Sequence, residues 1–317
     1  GQDRYDEGRR KLIETSCRRV REEKVTAKEQ DGFSQLVFDL SCTCNWDEWE
    51  RNIDTLIEHA RKQLKKGQIP VVMPFHSLHY SRPSKQGMDK LMIRQISEAY
   101  AKLAKDDAYK AARVKMCDDG QAAEEFRAWK PERLKFSPND KVPRLRIGYL
   151  SSDFVDHPTA DLIQSALLKH DKDKFEIFCY SISREDDSEY RQRLRFGMEH
   201  FKHFCTNQND KKCAEQIAAD GIHILVNLNG HTAGDRNGIS ALRPAPLQLV
   251  YLAYPGTMGA DYIDYNVTDK TVCPDEHRNF YTEHLIYMPH CYQTNSFREL
   301  YSDVLDTAKL PKRSDHH

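Results

Sequence analysis

IHILVNLNGHTAGDRN, residues 222–237, joins a short apolar run to a loop rich in glycine, asparagine and hydroxyl groups. The run from Ile222 to Leu228 has the length and the largely apolar character of a strand that is buried on both faces. The loop after it carries small polar groups and glycines, which allow the backbone to approach a ligand closely. Such a strand and loop predict a parallel sheet with a binding site at the carboxyl end of the strand.

Similar short apolar segments lie on both sides of this stretch and alternate with helical patterns. The other predicted strands are LRIGYL (145–150), FEIFCYSI (175–182), HFKHFC (200–205), LQLVYLAY (247–254), DYNVTD (264–269) and HLIYMP (284–289). The helix PTADLIQSALLKH opens with Pro158, whose missing N–H costs nothing in a first turn. A charged helix precedes residue 200, and KKCAEQIAADG (211–221) forms another. This alternation predicts an α/β fold with a parallel sheet.

Composition divides the chain into four predicted regions. Residues 1–35 are interpreted as a charged helical connector and residues 36–141 as a helical lead-in. Residues 142–295 carry the predicted sheet, and residues 296–317 form a polar connector. The main boundary is placed at SPNDKVPR, directly before the first strand.

Two amphipathic helices are predicted in the lead-in. Apolar residues recur at helical spacing between Asn45, which can cap the start, and Gly67, which can follow the end. A second helix begins near Lys85, and its apolar side, which runs from Met88 to Leu103, is expected to pack against the first. Prolines forbid a continuing helix between the two. His76 and His79 lie there, without a supporting carboxylate or cysteine, so a metal site is not favoured.

Charge and cysteine content exclude several classes of protein. The 48 Lys plus Arg nearly cancel the 49 Asp plus Glu, so no global field attracts nucleic acid or a membrane. Nine cysteines at irregular spacing indicate reduced thiols and a location in the cytoplasm or nucleus. Cys42 and Cys44 form the only close pair, which is not enough for a structural zinc site. No apolar run reaches the roughly 18 residues of a membrane span.

Three loops are predicted to follow strands at the carboxyl edge of the sheet, where ligands of parallel sheets bind. They are SSDFVDHPT (151–159), NGHTAGDRN (229–237) and YPGTMGADY (254–262). Each can bring backbone amides and small donors close to an anion. Neither a dinucleotide fingerprint nor a P-loop is present, which argues against a dehydrogenase or a kinase.

Two histidines are the candidate reactive groups of these loops. His157 precedes a proline at the mouth of a helix, where it could donate to phosphate or act as a general base. The alternative is a histidine that caps its own loop. His231 is similarly placed, with an ordinary surface histidine as its alternative.

The charged residues near these loops have simpler interpretations. Asp153 and Asp156 are expected to cap the helix that follows them rather than to take part in catalysis. Arg236 could meet a phosphate or brace its loop, and the sequence leaves both open. The acidic run 185–187 is expected to be a solvated helix start rather than a metal site.

Several long motifs carry a resemblance to a known family. RLRIGYLSSDFVDHPTADLIQS, DKFEIFCYSIS, DGIHILVNLNGHTAGDRN, ALRPAPLQLVYLAYPGTMGADYIDYNVTD and HLIYMPHCY resemble, in this order, the N-terminal half of the catalytic region of nucleocytoplasmic protein O-GlcNAc transferases. The run CNWDEWERNIDTLIEHARKQLKKGQIPVVMPFHSLHY resembles the helical segment before that region. The resemblance covers about residues 36–295. HPT and LNG favour this branch over the related protein O-fucosyltransferases, whereas His231 leans towards the latter.

The resemblance implies an activity and a larger protein. We expect a Rossmann-like lobe of a GT-B glycosyltransferase, which inverts the anomeric centre and uses neither metal nor cofactor. The transfer would move N-acetylglucosamine from UDP-GlcNAc to Ser or Thr hydroxyls of cytoplasmic and nuclear proteins. A missing C-terminal lobe would supply most of the UDP site, so this chain alone is expected to be inactive. The alternatives are a protein O-fucosyltransferase and a truncated, non-catalytic interaction scaffold.

The resemblance also assigns residues to the site. His157 matches the family's active-site histidine. Asn229, Gly230 and Thr232 match the loop that faces the sugar and the acceptor, and Pro255, Gly256 and Thr257 match the loop after the fifth strand. Thr159, His231 and Arg236 complete the candidate substrate contacts. The family often has His where this chain has Asp161 and Lys where it has Ala233, so some contacts are expected to differ.

Overall fold

The computed structural model describes residues 27–80, 88–114, 144–204 and 207–302. These residues form two compact units. The helical unit contains the described residues up to Ala104 together with residues 256–260 and 279–282. The sheet unit contains the other described residues, from Lys105 onward. The predicted boundary near residue 141 and most of both predicted connectors lie outside the described residues, so these divisions stay predictions.

Four helices lie in the described residues up to Arg113. They are α1 (Ala27–Cys42), α2 (Trp46–Lys65), α3 (Pro74–His79) and α4 (Lys90–Ala112). Helix α2 confirms the first predicted helix: the Asn45 side chain accepts a hydrogen bond from the backbone N–H of Glu48, and Gly67 follows the helix with φ of 66°. A left-handed residue at this position is the usual way to end a helix.

The second predicted helix has different ends in the structure. Helix α4 begins at Lys90 rather than near Lys85, and it continues past Leu103 to Ala112. The charged stretch directly after residue 104 is therefore helical as far as Ala112, within the predicted helical lead-in. Ala108, Tyr109 and Ala112 are buried, so small and aromatic residues keep one side of the helix covered.

One apolar cluster holds the helical unit together. It combines Ile53 and Leu56 of α2 with Met92 and Ile96 of α4, so the predicted packing of these two helices is confirmed. Between them, Pro74 occupies the first turn of the short helix α3, where its missing N–H has no cost.

His76 of helix α3 belongs to this apolar interior rather than to a polar surface. Its side chain is buried, and its ring stacks on Phe38 with 3.9 Å between the ring centroids. Burial, and then the neighbouring His79, lower the pKa of His76 to about 4, against an opposing effect of Asp39. The neutral form of His76 is therefore the one that the fold accommodates.

Acid should destabilise the chain through His76. The folded-state pKa of His76 lies below the ordinary value of about 6.5. The stability that neutral His76 contributes is therefore complete above pH 6.5 and is lost as the pH falls towards about 4. We expect the wild type to lose about 2 kcal/mol more than His76→Phe between pH 7 and pH 4.5, because phenylalanine does not titrate. Urea denaturation at both pH values measures this difference. Equal losses in the two proteins would contradict the expectation.

The sheet unit is built on seven parallel strands. They are β1 (Leu145–Ser151), β2 (Phe175–Ser181), β3 (His200–His203), β4 (Ile224–Asn227), β5 (Leu247–Val250), β6 (Tyr265–Thr268) and β7 (His284–Tyr287). Their order in the sheet is β3-β2-β1-β4-β5-β6-β7, and every neighbouring pair is parallel. The predicted α/β fold with a parallel sheet is confirmed.

Helices follow several of these strands along the chain. They are α5 (Pro158–Leu168), α6 (Glu189–Gly197), α7 (Asp210–Ala219), α8 (Asn237–Ala241) and α9 (Phe297–Leu300). The sequence predicted α5, α6 and α7 but not the two short helices α8 and α9, nor the 3-10 turn Asp275–Phe280. Among the described residues, no helix combines the length and the apolar character that a membrane crossing requires.

Candidate functional site

The centre of the sheet creates a site at its carboxyl edge. Strand β1 lies between β2 and β4, and Leu150 pairs in register with Asn227. The chain leaves β1 towards β2 on one side and later continues from β4 to β5 on the other. This reversal of direction is the topological switch point, where open parallel sheets bind their ligands. The loops after β1 and β4 both start there, as the sequence predicted.

Asn229 joins these two loops. Its side-chain oxygen accepts a hydrogen bond from the backbone N–H of Ser152 at 2.8 Å. Its amide nitrogen donates to Ser152 Oγ at 2.7 Å and lies 3.2 Å from Asp153 Oδ2. Asn229 is only 1% exposed, so its amide is occupied by protein partners. The structure shows Asn229 joining the two loops, and its predicted contact with substrate stays a prediction.

Two further asparagines, which the sequence analysis did not single out, shape the loop after β4. Asn227 Oδ1 accepts from the backbone N–H groups of Asn229 and Gly230, at 2.9 and 3.0 Å. Asn227 Nδ2 donates to Asn237 Oδ1, and Asn237 Nδ2 donates to the Gly230 carbonyl. The spacing Asn-x-Asn-Gly after a buried strand was the available signal, because asparagine side chains readily bond the backbone two residues on.

Gly230 is required by both its conformation and its surroundings. Its φ is 60°, in the left-handed region that other residues rarely adopt. A Cβ at this position would lie 2.5 Å from the Cβ of Tyr254. Gly230 therefore lets the loop pass close to Tyr254, which lies four residues after the end of β5, and its predicted contact with substrate stays a prediction.

His157 stands at the start of α5 with part of its ring in solvent. It is the N-cap residue, and its Nδ1 accepts a hydrogen bond from the backbone N–H of Thr159 at 3.2 Å. The ring is 47% exposed, and Nδ1 also lies 3.7 Å from Asp153 Oδ2. The capping alternative is therefore observed, and it leaves Nε2 as the ring nitrogen that is not used by the cap. Thr159 itself is buried at 6% exposure.

The two aspartates of the first loop do not cap the helix, contrary to expectation. Asp153 is buried and accepts hydrogen bonds from Ser152 Oγ and Asn229 Nδ2. The backbone N–H of Asp156 donates to Asp186 Oδ2, which ties the acidic run after β2 to the first loop. The cap position is taken by His157 because Nδ1 reaches the first amide that Pro158 leaves available.

His231 and Thr232 lie in the second loop. His231 is 7% exposed and meets Tyr254 edge to face, with 5.3 Å between the ring centroids. The surface alternative for His231 is therefore wrong, because the close approach of Tyr254 covers the ring. Thr232 is half-buried, and its hydroxyl donates to the carbonyl of Asn229 at 3.1 Å.

Arg236 braces its loop. Its guanidinium forms a hydrogen-bonded ion pair with Asp210 at 2.6 Å and donates to the carbonyl of Gln208. The sequence left open whether Arg236 contacts a phosphate or braces its loop, and the described contacts are those of a residue that braces its loop. A contact with phosphate stays a prediction.

The third predicted loop is divided between the units. Pro255 belongs to the sheet unit, whereas Gly256 and Thr257 belong to the helical unit. Thr257 Oγ1 accepts from the backbone N–H of Gly259 at 3.2 Å and from that of Thr282 at 3.1 Å. The convergence of this loop with the other two stays a prediction.

One group of side chains among the described residues has the spacing of a metal site, at the start of strands β2 and β3. The possible ligand atoms of Glu176, Glu199 and His200 lie within 4.8 Å of one another. Glu199 is paired with Arg144, and Glu176 with Arg146 and His200. The carboxylates therefore already have cationic or hydrogen-bonding partners.

Comparison with known proteins places the chain in a family. The profile of glycosyl transferase family 41 matches residues 43–317. The chain belongs to glycosyl transferase family 41. A probable UDP-N-acetylglucosamine–peptide N-acetylglucosaminyltransferase SEC of Arabidopsis thaliana is 37% identical over 281 residues, which are 89% of this chain and 27% of that protein. The UDP-N-acetylglucosamine–peptide N-acetylglucosaminyltransferase of Caenorhabditis elegans is 36% identical over 263 residues, 83% of this chain and 21% of that protein.

A solved structure shares the fold of this family 41 chain. The Thermobaculum terrenum O-GlcNAc transferase mutant K341M is 24% identical, with a TM-score of 0.59, over 84% of this chain and 45% of that one. The fold is therefore α/β, a Rossmann-like lobe of the GT-B type preceded by a helical segment, as predicted. The chain spans about a quarter of the length of the two relatives.

A substitution can test the hydrogen bonds by which Asn229 joins the two loops. Asn229→Asp keeps the acceptor for Ser152 N–H but removes the donor and places a second carboxylate beside buried Asp153. We expect a loss of about 2 to 4 kcal/mol in the free energy of unfolding, because a buried donor is lost and like charges face each other. Asn209→Asp is the matched control, because Asn209 only accepts a bond, at the start of α7, where aspartate caps equally well. Urea denaturation near pH 7 measures the free energy of unfolding of both variants. Equal stabilities would mean that the hydrogen bonds of Asn229 do not hold the two loops together.

Proposed function

We propose that this chain is the acceptor-side lobe, with its helical lead-in, of a protein O-GlcNAc transferase. The complete enzyme would move N-acetylglucosamine from UDP-GlcNAc to Ser or Thr hydroxyls of proteins, with inversion at the anomeric carbon. The observation that carries the proposal is the half-exposed His157 at the switch point, on a loop that Asn229 holds in place. The names of the two family 41 relatives support the choice of donor and acceptor.

The chemistry of the transfer fits such a site. The oxygen of the Ser or Thr hydroxyl attacks the anomeric carbon while the bond to the diphosphate breaks. The hydroxyl proton leaves to a basic group at the site. The leaving diphosphate gains from hydrogen-bond donors aimed at its developing charge. Helix α5, eleven residues long, starts at Pro158 beside His157, so its N-terminal end adds a favourable dipole for an anion. Neither step requires a metal or a cofactor.

The rest of the relatives' length would supply the other half of the site. In a GT-B enzyme the nucleotide sugar is bound between two lobes, so we propose that a second lobe holds the uridine and most of the diphosphate. Six described cysteines are free thiols, at positions 42, 44, 179, 213, 273 and 291, which suits the proposed location in the cytoplasm and nucleus.

The test compares the complete protein with this chain. Expressed from the full reading frame that contains residues 1–317, the protein should transfer radiolabelled GlcNAc from UDP-GlcNAc to an acceptor peptide. The isolated chain should bind UDP more weakly than about 1 mM in calorimetric titration, because a few exposed hydrogen bonds do not offset the entropy lost on binding. Absence of transfer by the complete protein would refute the proposal. Micromolar binding of UDP by the isolated chain would refute the division into two lobes.

GDP-fucose is the informative competing donor. His231 is the residue that favours a fucosyltransferase, and its burial against Tyr254 gives it a defined place in the second loop. We expect turnover with UDP-GlcNAc to exceed turnover with GDP-fucose in the complete protein. The opposite order would favour the fucosyltransferase, and no turnover with either donor would favour a non-catalytic scaffold.

A further inference from the structure

Nδ1 of His157 lies near one hydrogen-bond donor and one hydrogen-bond acceptor, which require opposite protonation states of this nitrogen. The backbone N–H of Thr159 points at Nδ1 from 3.2 Å, which requires a lone pair on that atom. The carboxylate oxygen Oδ2 of Asp153 lies 3.7 Å from the same atom and could only accept a proton from it. A neutral imidazole has one protonated and one unprotonated nitrogen, so it satisfies only one of the two partners.

The geometry of helix α5 favours the amide. Pro158 has no N–H, so the first amide that the cap residue can reach is that of Thr159. The distance of 3.2 Å is within hydrogen-bond range, whereas 3.7 Å is beyond it. The Asp153 carboxylate also has other donors, because Ser152 Oγ lies 2.7 Å from Oδ1 and Asn229 Nδ2 lies 3.2 Å from Oδ2. Asp153 therefore does not depend on His157 for a hydrogen bond.

We infer that the helix cap fixes neutral His157 as the Nε2–H tautomer, so that its outward nitrogen presents a proton donor and not a base. Asp153 then gains His157 as a hydrogen-bond partner only when the ring is protonated, because Nδ1–H can no longer accept from Thr159. This inference deepens the proposed function, on which its catalytic meaning rests. At the site, Nε2–H would donate to an anionic oxygen such as that of the diphosphate, and it would not take the proton of the acceptor hydroxyl.

The tautomer can be measured without any turnover. The 317-residue chain is labelled with ¹⁵N-histidine, and a long-range ¹H–¹⁵N correlation spectrum is recorded at about pH 8.5, where an ordinary imidazole is neutral. The His157 signals are assigned by their loss in His157→Gln. We expect Nδ1 in the unprotonated, pyridine-like range and Nε2 in the protonated, pyrrole-like range. The reverse pattern, or averaged signals from an even mixture of tautomers, would overturn the inference.

Asp153→Asn tests whether the Thr159 amide or the Asp153 carboxylate sets the tautomer of His157. If the Thr159 amide sets the tautomer, both ring nitrogens should keep their chemical-shift class in this variant. If the carboxylate sets it, Nδ1 should change class. Asp156→Asn is the matched control, because it removes one charge beside His157 from an exposed residue. Should Asp153→Asn fail to fold, the wild-type spectrum alone still decides. A confirmed tautomer in a protein that transfers no sugar would refute the proposed function and leave the inference about the ring intact.

Discussion

Replacing His157 by alanine should lower kcat/KM of the complete protein by about a hundredfold or more. That is the usual effect of losing a group that transfers a proton or stabilises developing charge in the transition state. The change removes the half-exposed ring at the switch point together with its outward nitrogen. Steady-state transfer assays with UDP-GlcNAc and an acceptor peptide measure the effect.

A second substitution at this position separates chemistry from structure. Alanine also removes the cap of helix α5, which costs about 1 kcal/mol, so the protein should still fold. His157→Asn keeps a capping oxygen, since asparagine is among the best N-cap residues, but it lacks the ring. Both variants should lose activity to a similar degree. If asparagine restored turnover, His157 would act only through the helix start.

Gly259→Ala should be the most destabilising of the glycine substitutions in the helical unit. Gly259 has φ of 63°, and a Cβ there would lie 2.3 Å from the backbone N of Glu98 and 2.6 Å from the backbone C of Ser97. These atoms belong to helix α4, whose backbone cannot move aside as a flexible side chain does. Left-handed strain and overpacking together predict a loss of about 3 to 5 kcal/mol in the free energy of unfolding.

Gly67→Ala is the matched control for this prediction. Gly67 has nearly the same φ, 66°, but nothing lies within 4 Å of a Cβ built there. It should therefore show only the backbone cost of about 1 kcal/mol. Urea denaturation followed by circular dichroism compares both variants with the wild type. Similar losses at the two positions would mean that loop 256–260 and helix α4 separate easily.

The sheet and the place of the site follow from local sequence. Apolar strands that alternate with helices specify a parallel sheet, and the carboxyl ends of parallel strands share one edge. The loops of His157 and Asn229 could therefore be placed together before their distances were known. The short helices α8 and α9 were missed because four or five residues show too little periodicity to indicate a helix.

The roles of single residues depend on contacts that sequence does not show. The bond between Asn229 and Ser152 joins residues 77 positions apart. The ion pair of Arg236 with Asp210 spans 26 positions. An asparagine or an arginine in a polar loop has the same appearance whether its partner is a ligand or the protein. Only the geometry shows that Asn229 and Arg236 have protein partners, and their contacts with substrate stay predictions.

The chain passes between its two units more than once, which limits how it can be divided. Residues 256–260 and 279–282 are inserted in the sequence of the sheet unit but belong to the helical unit. Met258, in the first of these segments, is fully buried. A fragment that begins at Lys105 would carry both segments without their N-terminal partners, and one that ends at Ala104 would lack them. Expression or recombination of either part alone would therefore leave the helical unit incomplete, because its residues are separated in the sequence.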